Sequence, residues 1–373
     1  TTGASNVTSG YQSLFSNTTG NYNVASGYNS LYTNTTGSNN VATGYSSLHS
    51  NTTGSNNVAT GMYSLRYNTT GTNNVATGYE SLNTNTTGSN NVATGYQSLY
   101  ENTEGHSNVA SGYRSLFKNT TGNYNVATGD QSLNYNTTGS NNVASGYRSL
   151  FKNTTGASNV TSGYQSLFSN TEGNYNVASG YNSLHTNTTG HSNVASGYES
   201  LLVNTTGASN VASGFRSLRY NTTGTNNVAT GRESLFTNSI SHYNVASGFQ
   251  SLYSTTGHGN IGIGYQAGNS ITSGNYNVCI GYGSDVPTVT GDKQLSIGSN
   301  GTTWISGTST GNVGIGTSTP SEKLEVFPDT DINAIIGRAK IGYNGHTDIA
   351  NFSHIDHHSV SNYGFAQHSD GVT

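Results

Sequence analysis

The chain has 373 residues, of which 12 are basic and 16 acidic, for a net charge of −4; 8% are charged and 31% hydrophobic. A globular domain is about 45–50% apolar, so this composition excludes a thick core, and the low net charge excludes the self-repelling composition of a disordered tail. The lone cysteine, Cys279, excludes an intrachain disulfide framework and a cysteine-rich zinc site. No run approaches the ~18 apolar residues of a membrane-spanning helix, and the charge balance makes no case for nucleic acid. Neither membrane insertion nor a nucleic-acid partner is expected.

Thr1 opens inside a repeat without a signal-peptide pattern, as expected of an internal or processed piece of a longer protein. Valine recurs at Val7, Val24, Val41, Val58 and onward to Val245 at a constant step of 17, giving fifteen units. The consensus is N-V-A-(S/T)-G-Y-x-S-L-x-x-N-T-T-G-x-N, and residues 1–37 return at 154–190 with two changes, Thr19/Glu172 and Tyr32/His185. That echo suggests block duplication.

Two glycines per unit and β-branched Val and Thr argue against helix. N-V-A-S and Y-x-S-L read as two short strands hinged at glycine, and N-T-T-G-x-N reads as a turn. Val and Leu are expected to point inward, with Ala or Ser filling the remaining space. Each unit then forms one coil of a β-solenoid, with fifteen coils spanning roughly 70 Å at about 4.8 Å per strand. Such a core is thin, so stacking, Asn ladders and a second buried face are expected to stabilise it. A homotrimer about the fibre axis supplies that face, with a monomeric solenoid as the alternative. The position after Tyr (Gln12, Asn29, Ser46, Tyr63, Glu80, Gln97, Arg114) accepts varied side chains and reads as solvent-facing. The Tyr position accepts Met62, Asp130 and Arg232. It is expected to be at most partly buried and to form an aromatic ladder.

The register breaks after Leu252. G-N-I-G-I-G-Y-Q at 259–266 and Y-N-V-C-I-G-Y at 276–282 are denser, with Ile in the Ser/Thr position, and related patterns follow at 295–298 and 312–316. Thr319-Pro320-Ser321-Glu322 has the form of a capping box with Pro at the first helical position, predicting one helical turn and then a strand through 323–327. The expected organisation is a repeat shaft over 1–255, a denser β-roll-like segment over 256–318, a short helical turn and linker strand over 319–330, and a β-rich tip over 331–373. The fold class is all-β: a β-solenoid or β-roll of fifteen 17-residue coils with a smaller β-rich C-terminal region.

The N-V-A-x-G-Y-x-S-L and N-V-C-I-G-Y units resemble the β-roll heads of trimeric autotransporter adhesins. The segment Gly311-Asn-Val-Gly-Ile-Gly-Thr-Ser-Thr-Pro-Ser-Glu-Lys-Leu-Glu-Val326 resembles the stretch before the endosialidase-type intramolecular chaperone of viral and phage tail fibres. Residues 350–357 and 361–367 are similar to the linker that such fibres carry before it. The self-cleaving chaperone does not follow within these residues, so no catalytic residue is carried over. The resemblance implies a trimeric tail fibre on a virion, extracellular, attaching to a host-surface receptor, with glycan as one receptor class. A bacterial cell-surface trimeric adhesin is the alternative, and an ice- or glycan-binding solenoid a remote one.

Candidate chemistry is sparse, and no enzyme activity or cofactor is expected. Gly257-His-Gly-Asn-Ile-Gly262 matches G-x-G-x-x-G, but a β-type sequence follows it where a dinucleotide site needs a helix, so it reads as a solenoid turn. His346, His354, Asp356, His357, His358 and His368 cluster near the end; His354, His357 and His358 are the candidate metal ligands, since three imidazoles meeting at a trimer axis suit a transition metal. Asn17, Asn34, Asn51, Asn68, Asn85, Asn119, Asn136, Asn153, Asn187, Asn204 and Asn221 each open an N-T-T sequon and are candidate glycosylation sites, set against the simpler reading that a turn wants Asn. Paired Thr in a turn gives no flat ice-like array. The scattered acids Glu80, Glu101, Glu104, Asp130, Glu172, Glu199 and Glu233 do not recur as a catalytic pair or a calcium turn.

Overall fold

A computed structural model describes residues 2–326 and, beyond them, the strand backbones of 333–336, 339–343, 349–354 and 365–368. The chain is an all-β solenoid, with no helix among the described residues. Each unit contributes one three-residue strand, from β1 (Val7–Ser9) and β2 (Val24–Ser26) through β15 (Val245–Ser247). The strands stack parallel and in register, Val7 opposite Val24, Val24 opposite Val41, and so on along the axis.

The coil continues past the break in the repeat. β16 (Ile261–Ile263) pairs with β15 at an offset of 16 rather than 17, and β17 (Val278–Ile280) and β18 (Leu295–Ser299) follow in parallel register. Ile263 stacks on Ser247, so Ile does take the Ser/Thr position. One residue is lost in the turn, where buried Thr255 stands in for the asparagine of earlier coils. The stack therefore does not end at residue 255. Closure comes later, where β19 (Thr302–Gly307) folds back antiparallel on β18 with a register shift at Ile297/Gly298. β20 (Val313–Ile315) pairs antiparallel with β19, and β21 (Leu324–Val326) pairs parallel with β20. A separate four-stranded antiparallel sheet comprises β22 (Asn333–Ile336), β23 (Ala339–Tyr343), β24 (Ile349–His354) and β25 (Phe365–His368).

Three local expectations are corrected. First, valine points outward. In strand after strand the central Ala is buried while the flanking Val and Ser/Thr are exposed or half-exposed. The inward position takes small side chains, Ala in most coils, Thr161 in β10, Gly262 in β16 and Cys279 in β17, and strand alternation then turns the Val and Ser/Thr on either side of it outward. Second, Y-x-S-L is not a strand but a tight winding turn. The residue after Tyr and the Leu adopt left-handed backbone, with φ near +50° at Leu31, Leu48 and Leu65 alike. A branched residue there is locally unfavourable. The turn nevertheless aims its amides along the axis into the next coil, as in Leu31 N to Ser47 O at 2.9–3.1 Å across the repeats. Third, Thr319–Glu322 forms bends and no helical turn. The Ser321 amide and hydroxyl donate to Glu325 at 2.7 and 2.9 Å, and the Val313 amide donates to Lys323 O at 3.0 Å, so strand pairing at β21 prevails over the capping box.

The core is one Leu and one Ala per coil (Thr161 in place of Ala in β10), all but fully buried from the second coil onward, together with Ser and two asparagines. The Gly after the strand is obligatory: at Gly129 φ is +122°, and a Cβ would lie 2.8 Å from Gly146 O of the next coil.

Candidate functional site

The repeat turns each residue position into a column along the axis. The structure assigns each column a role, and most sequence-level candidates fall inside the coil.

Two columns are internal asparagine ladders. In the first, Asn34 Nδ2 donates to Asn17 Oδ1 at 2.9 Å and to its own turn's Gly37 O at 2.9 Å. In the second, the Asn40 amide and Nδ2 both donate to Asn23 Oδ1, at 3.0 and 3.1 Å, and Nδ2 also reaches Gly54 O. These bonds satisfy polar groups that would otherwise be costly in the interior. The first ladder contains every candidate glycosylation residue: Asn17, Asn34, Asn51, Asn68, Asn85, Asn119, Asn136, Asn153, Asn187, Asn204 and Asn221. All but Asn17 are 0% exposed, and Asn17 is 8% exposed. Each side-chain nitrogen is already a donor within the stack, so a glycan there is incompatible with a closed coil. In the structure the asparagine bonds between coils as well as within its own turn.

The Tyr column is exposed and stacked. Tyr11–Tyr28, Tyr28–Tyr45, Tyr164–Tyr181 and Tyr181–Tyr198 have centroids 5.0–5.1 Å apart and nearly parallel ring planes. Its exceptions are accommodated. Tyr63 swings beside Met62 to make edge contacts with Tyr45 and Tyr79, and the Arg232 guanidinium lies between Phe215 and Phe249 at 5.3 and 5.7 Å. A second aromatic ladder was not anticipated. It runs through the residue after Leu, as in Phe15–Tyr32–His49 and Phe151–Phe168–His185, at 5.0–5.3 Å. The signal was present in the recurrence of Phe, Tyr and His at that position. In most pairs of both ladders the ring faces are turned to one another along the axis, so ring edges and phenol hydroxyls face solvent there; Tyr45–Tyr63, Tyr63–Tyr79, Tyr135–Phe151 and Tyr220–Phe236 meet edge-on.

Between the ladders runs the position after Tyr, which is half-buried rather than solvent-facing; Ser46 and Glu199 are buried outright. Its side chains hydrogen-bond from coil to coil. Gln97 Nε2 donates to Glu80 Oε2 at 2.7 Å and Arg114 Nε to Gln97 Oε1 at 2.8 Å. Arg216 and Arg219 both reach the Glu199 carboxylate, at 2.9 and 3.0 Å. Burial pushes His185 below the ordinary imidazole range, assisted by Lys152, and does the same to His49, assisted by Arg66. Burial also lowers His242, which stacks on His258 at 5.2 Å.

No group of three or more His, Cys, Asp or Glu side chains that could hold a metal occurs among the described residues. Of the candidate ligands, His354 closes β24 and His368 closes β25, where they are placed as strand backbone; His357 and His358, with His346 and Asp356, lie outside the described residues. The 257–262 glycine motif is a turn leading into β16, as expected. Cys279 is buried in β17 at the Ala position, and burial pushes its thiol up to about 12. A cleft of about 290 Å³ lies near the end of the stack, lined by Pro287, Thr288, Asp292, Gln294, Thr308 and Pro320 among others. Its one charged lining group is Asp292, held below the usual carboxylate range by the Asn275 amides.

Comparison of the chain with protein-family models, with curated proteins and with solved structures gave no match.

Proposed function

We propose that this chain is the shaft of a trimeric fibre or spike on a virion, extracellular, giving reach and attachment to a host surface. One observation carries the reading: an in-register stack of repeats in which every coil is bonded to the next by backbone and asparagine columns, and most by an aromatic column as well. Such an array is stiff along one axis and repeats its outer surface at every step. It offers many identical weak contacts, which is the geometry for multivalent attachment. Because the ring faces are occupied within the ladders, contact with a receptor falls to phenol hydroxyls, ring edges and the charged side chains between the columns. The homotrimer is part of this proposal and is supported by the thin core of one Leu and one Ala per coil.

The test is direct. Negative-stain microscopy of the purified chain, with light scattering, is expected to show a rod of trimer mass whose repeat section is roughly 70 Å long. Antibody raised against the shaft is expected to label projections on purified virions. A compact monomeric particle refutes the fibre. Labelling of bacterial cell surfaces in place of virions moves the assignment to an adhesin.

A further inference from the structure

Fifteen coils allow each column's variability to be compared with its burial. Gly, Ser, Leu and the asparagine before Val recur in all fifteen units, and each has a reason inside the coil: close backbone approach, a buried hydroxyl, the core, a ladder. The Tyr column, the position after it and the two positions after Leu are partly or fully accessible in most coils (Ser46, Asn83, Asn134 and Glu199 are the buried exceptions), and they vary freely, admitting charged residues such as Asp130, Arg232, Glu80, Arg114 and Lys118. Valine breaks this correlation. It is Val in every unit from Val7 to Val245, yet Val92, Val109, Val143, Val177 and Val194 remain 37–40% exposed. Strand geometry calls for a β-branched residue but not for valine, since threonine would serve and would solvate better. Beyond the repeats the position becomes Ile261 and then Val278, still apolar and β-branched.

The partner column on the same strand face is equally restricted. It holds only Ser or Thr across the fifteen units, with no charge and nothing larger. The two columns stand two residues apart, so the face is about 7 Å wide and about 70 Å long. The column that follows is glycine, with no side chain to obstruct an approach, and the column before is the buried asparagine ladder. The result is a narrow, uncharged, apolar stripe whose length equals that of the shaft.

We infer that this Val–Ser/Thr stripe is the surface on which further copies of the chain pack, so that the valines face the threefold axis of the fibre. The occupant must present a matching periodic surface for the whole length, and a second copy of this chain does so coil for coil. Fifteen half-exposed valines with their hydroxyl neighbours offer on the order of 1,000 Å² per chain, above the about 800 Å² each partner gives to a standard specific interface. The width favours three copies over two. Face-to-face sheets need broad surfaces, whereas three strips one strand wide close around an axis, with Ser or Thr small enough to let the valines meet. This inference rests on the trimeric reading above and assigns it a face.

The test uses the full chain with Val109, Val126, Val143 and Val160 replaced together, once by Thr, which keeps strand shape, and once by Lys. A control carries Tyr147→Asp and Tyr164→Asp in the Tyr column, where Asp130 already occurs. Mass by light scattering and β content by circular dichroism are read for each. The expected result is a trimeric parent and control, and a threefold fall in mass for the Lys variant with its β signal kept. The Thr variant is expected to dissociate at a protein concentration at least tenfold higher than the parent. A trimeric parent whose Lys and Thr variants stay trimeric to the same dilution overturns the assignment of the face and leaves the fibre intact. A monomeric parent overturns the trimer itself. If the Lys variant loses its β signal, the Thr variant decides.

Discussion

Asn136 lies in the middle of the first asparagine ladder, fully buried. Its Nδ2 donates to Asn119 Oδ1 at 2.7 Å and to Gly139 O at 2.9 Å, and its Oδ1 accepts from Asn153 Nδ2 at 2.7 Å. Replacement by Ala does not orphan every partner. Gly139 O keeps a bond from Asn125 Nδ2, and Asn153 Nδ2 keeps Gly156 O. Asn119 Oδ1 loses the one donor it has, and one hydrogen of Asn153 is left unpaired. At about 1–3 kcal/mol for a buried group left unsatisfied, Asn136→Ala is expected to cost about 3–4 kcal/mol.

Asn136→Asp separates polarity from shape. The carboxylate would face two acceptors, Asn119 Oδ1 and Gly139 O, so the folded coil favours its protonated form and raises its pKa above the unfolded value. A raised acid loses stability as pH climbs from its unfolded pKa, about 3.9, towards its folded one. The Asp variant should therefore approach the parent near pH 3.5 and fall to or below the Ala variant by pH 7. Because a repeat array responds locally, amide hydrogen exchange is the assay. Protection should fall at Leu133, Thr137 and the facing coils, and stay unchanged at coils near Leu31 and Leu235. Uniform loss along the chain, or no loss at all, refutes the ladder as the source of inter-coil stability.

Three further outcomes are expected. Expressed in a eukaryotic cell that glycosylates secreted proteins, the folded fibre should show no sugar on any N-T-T asparagine in a site-by-site peptide map, whereas the exposed Asn300-Gly-Thr sequon is open to it; sugars on the N-T-T asparagines of a particle that keeps its β signal would contradict their burial. Cys279, with its thiol pushed up to about 12, should resist a thiol reagent at pH 8 in the native protein and react fully once denatured. His49, His185 and His242 are all lowered when folded, so the unfolded chain binds more protons below about pH 6.5. Stability should be fully present above that value and fall as pH drops through it, giving a lower thermal midpoint at pH 5.5 than at 7.5. A midpoint that is flat over this range counts against the burial of these rings.

The repeat length, the all-β class, the coil as structural unit and the exposed aromatic column were all legible in the amino-acid order. A strict period of 17 with fixed Gly, Leu and Asn admits few other folds, because identical neighbours must meet at identical heights. Composition could not say which of two apolar residues faces inward. Val and Leu are both apolar, and alternation along a three-residue strand puts Val and its neighbour on opposite faces; only the path of the closed coil decides that the Ala face, which also holds Thr161 and Cys279, looks inward. The left-handed turn at Leu was hidden for a related reason: its local conformation is unfavourable in isolation and is held by bonds to coils 17 residues away. The same holds for the sequon asparagines, which a local reading places on a turn and the stack places in the core. What the tertiary structure decided was orientation: which side of each short segment looks at its neighbours and which at solvent.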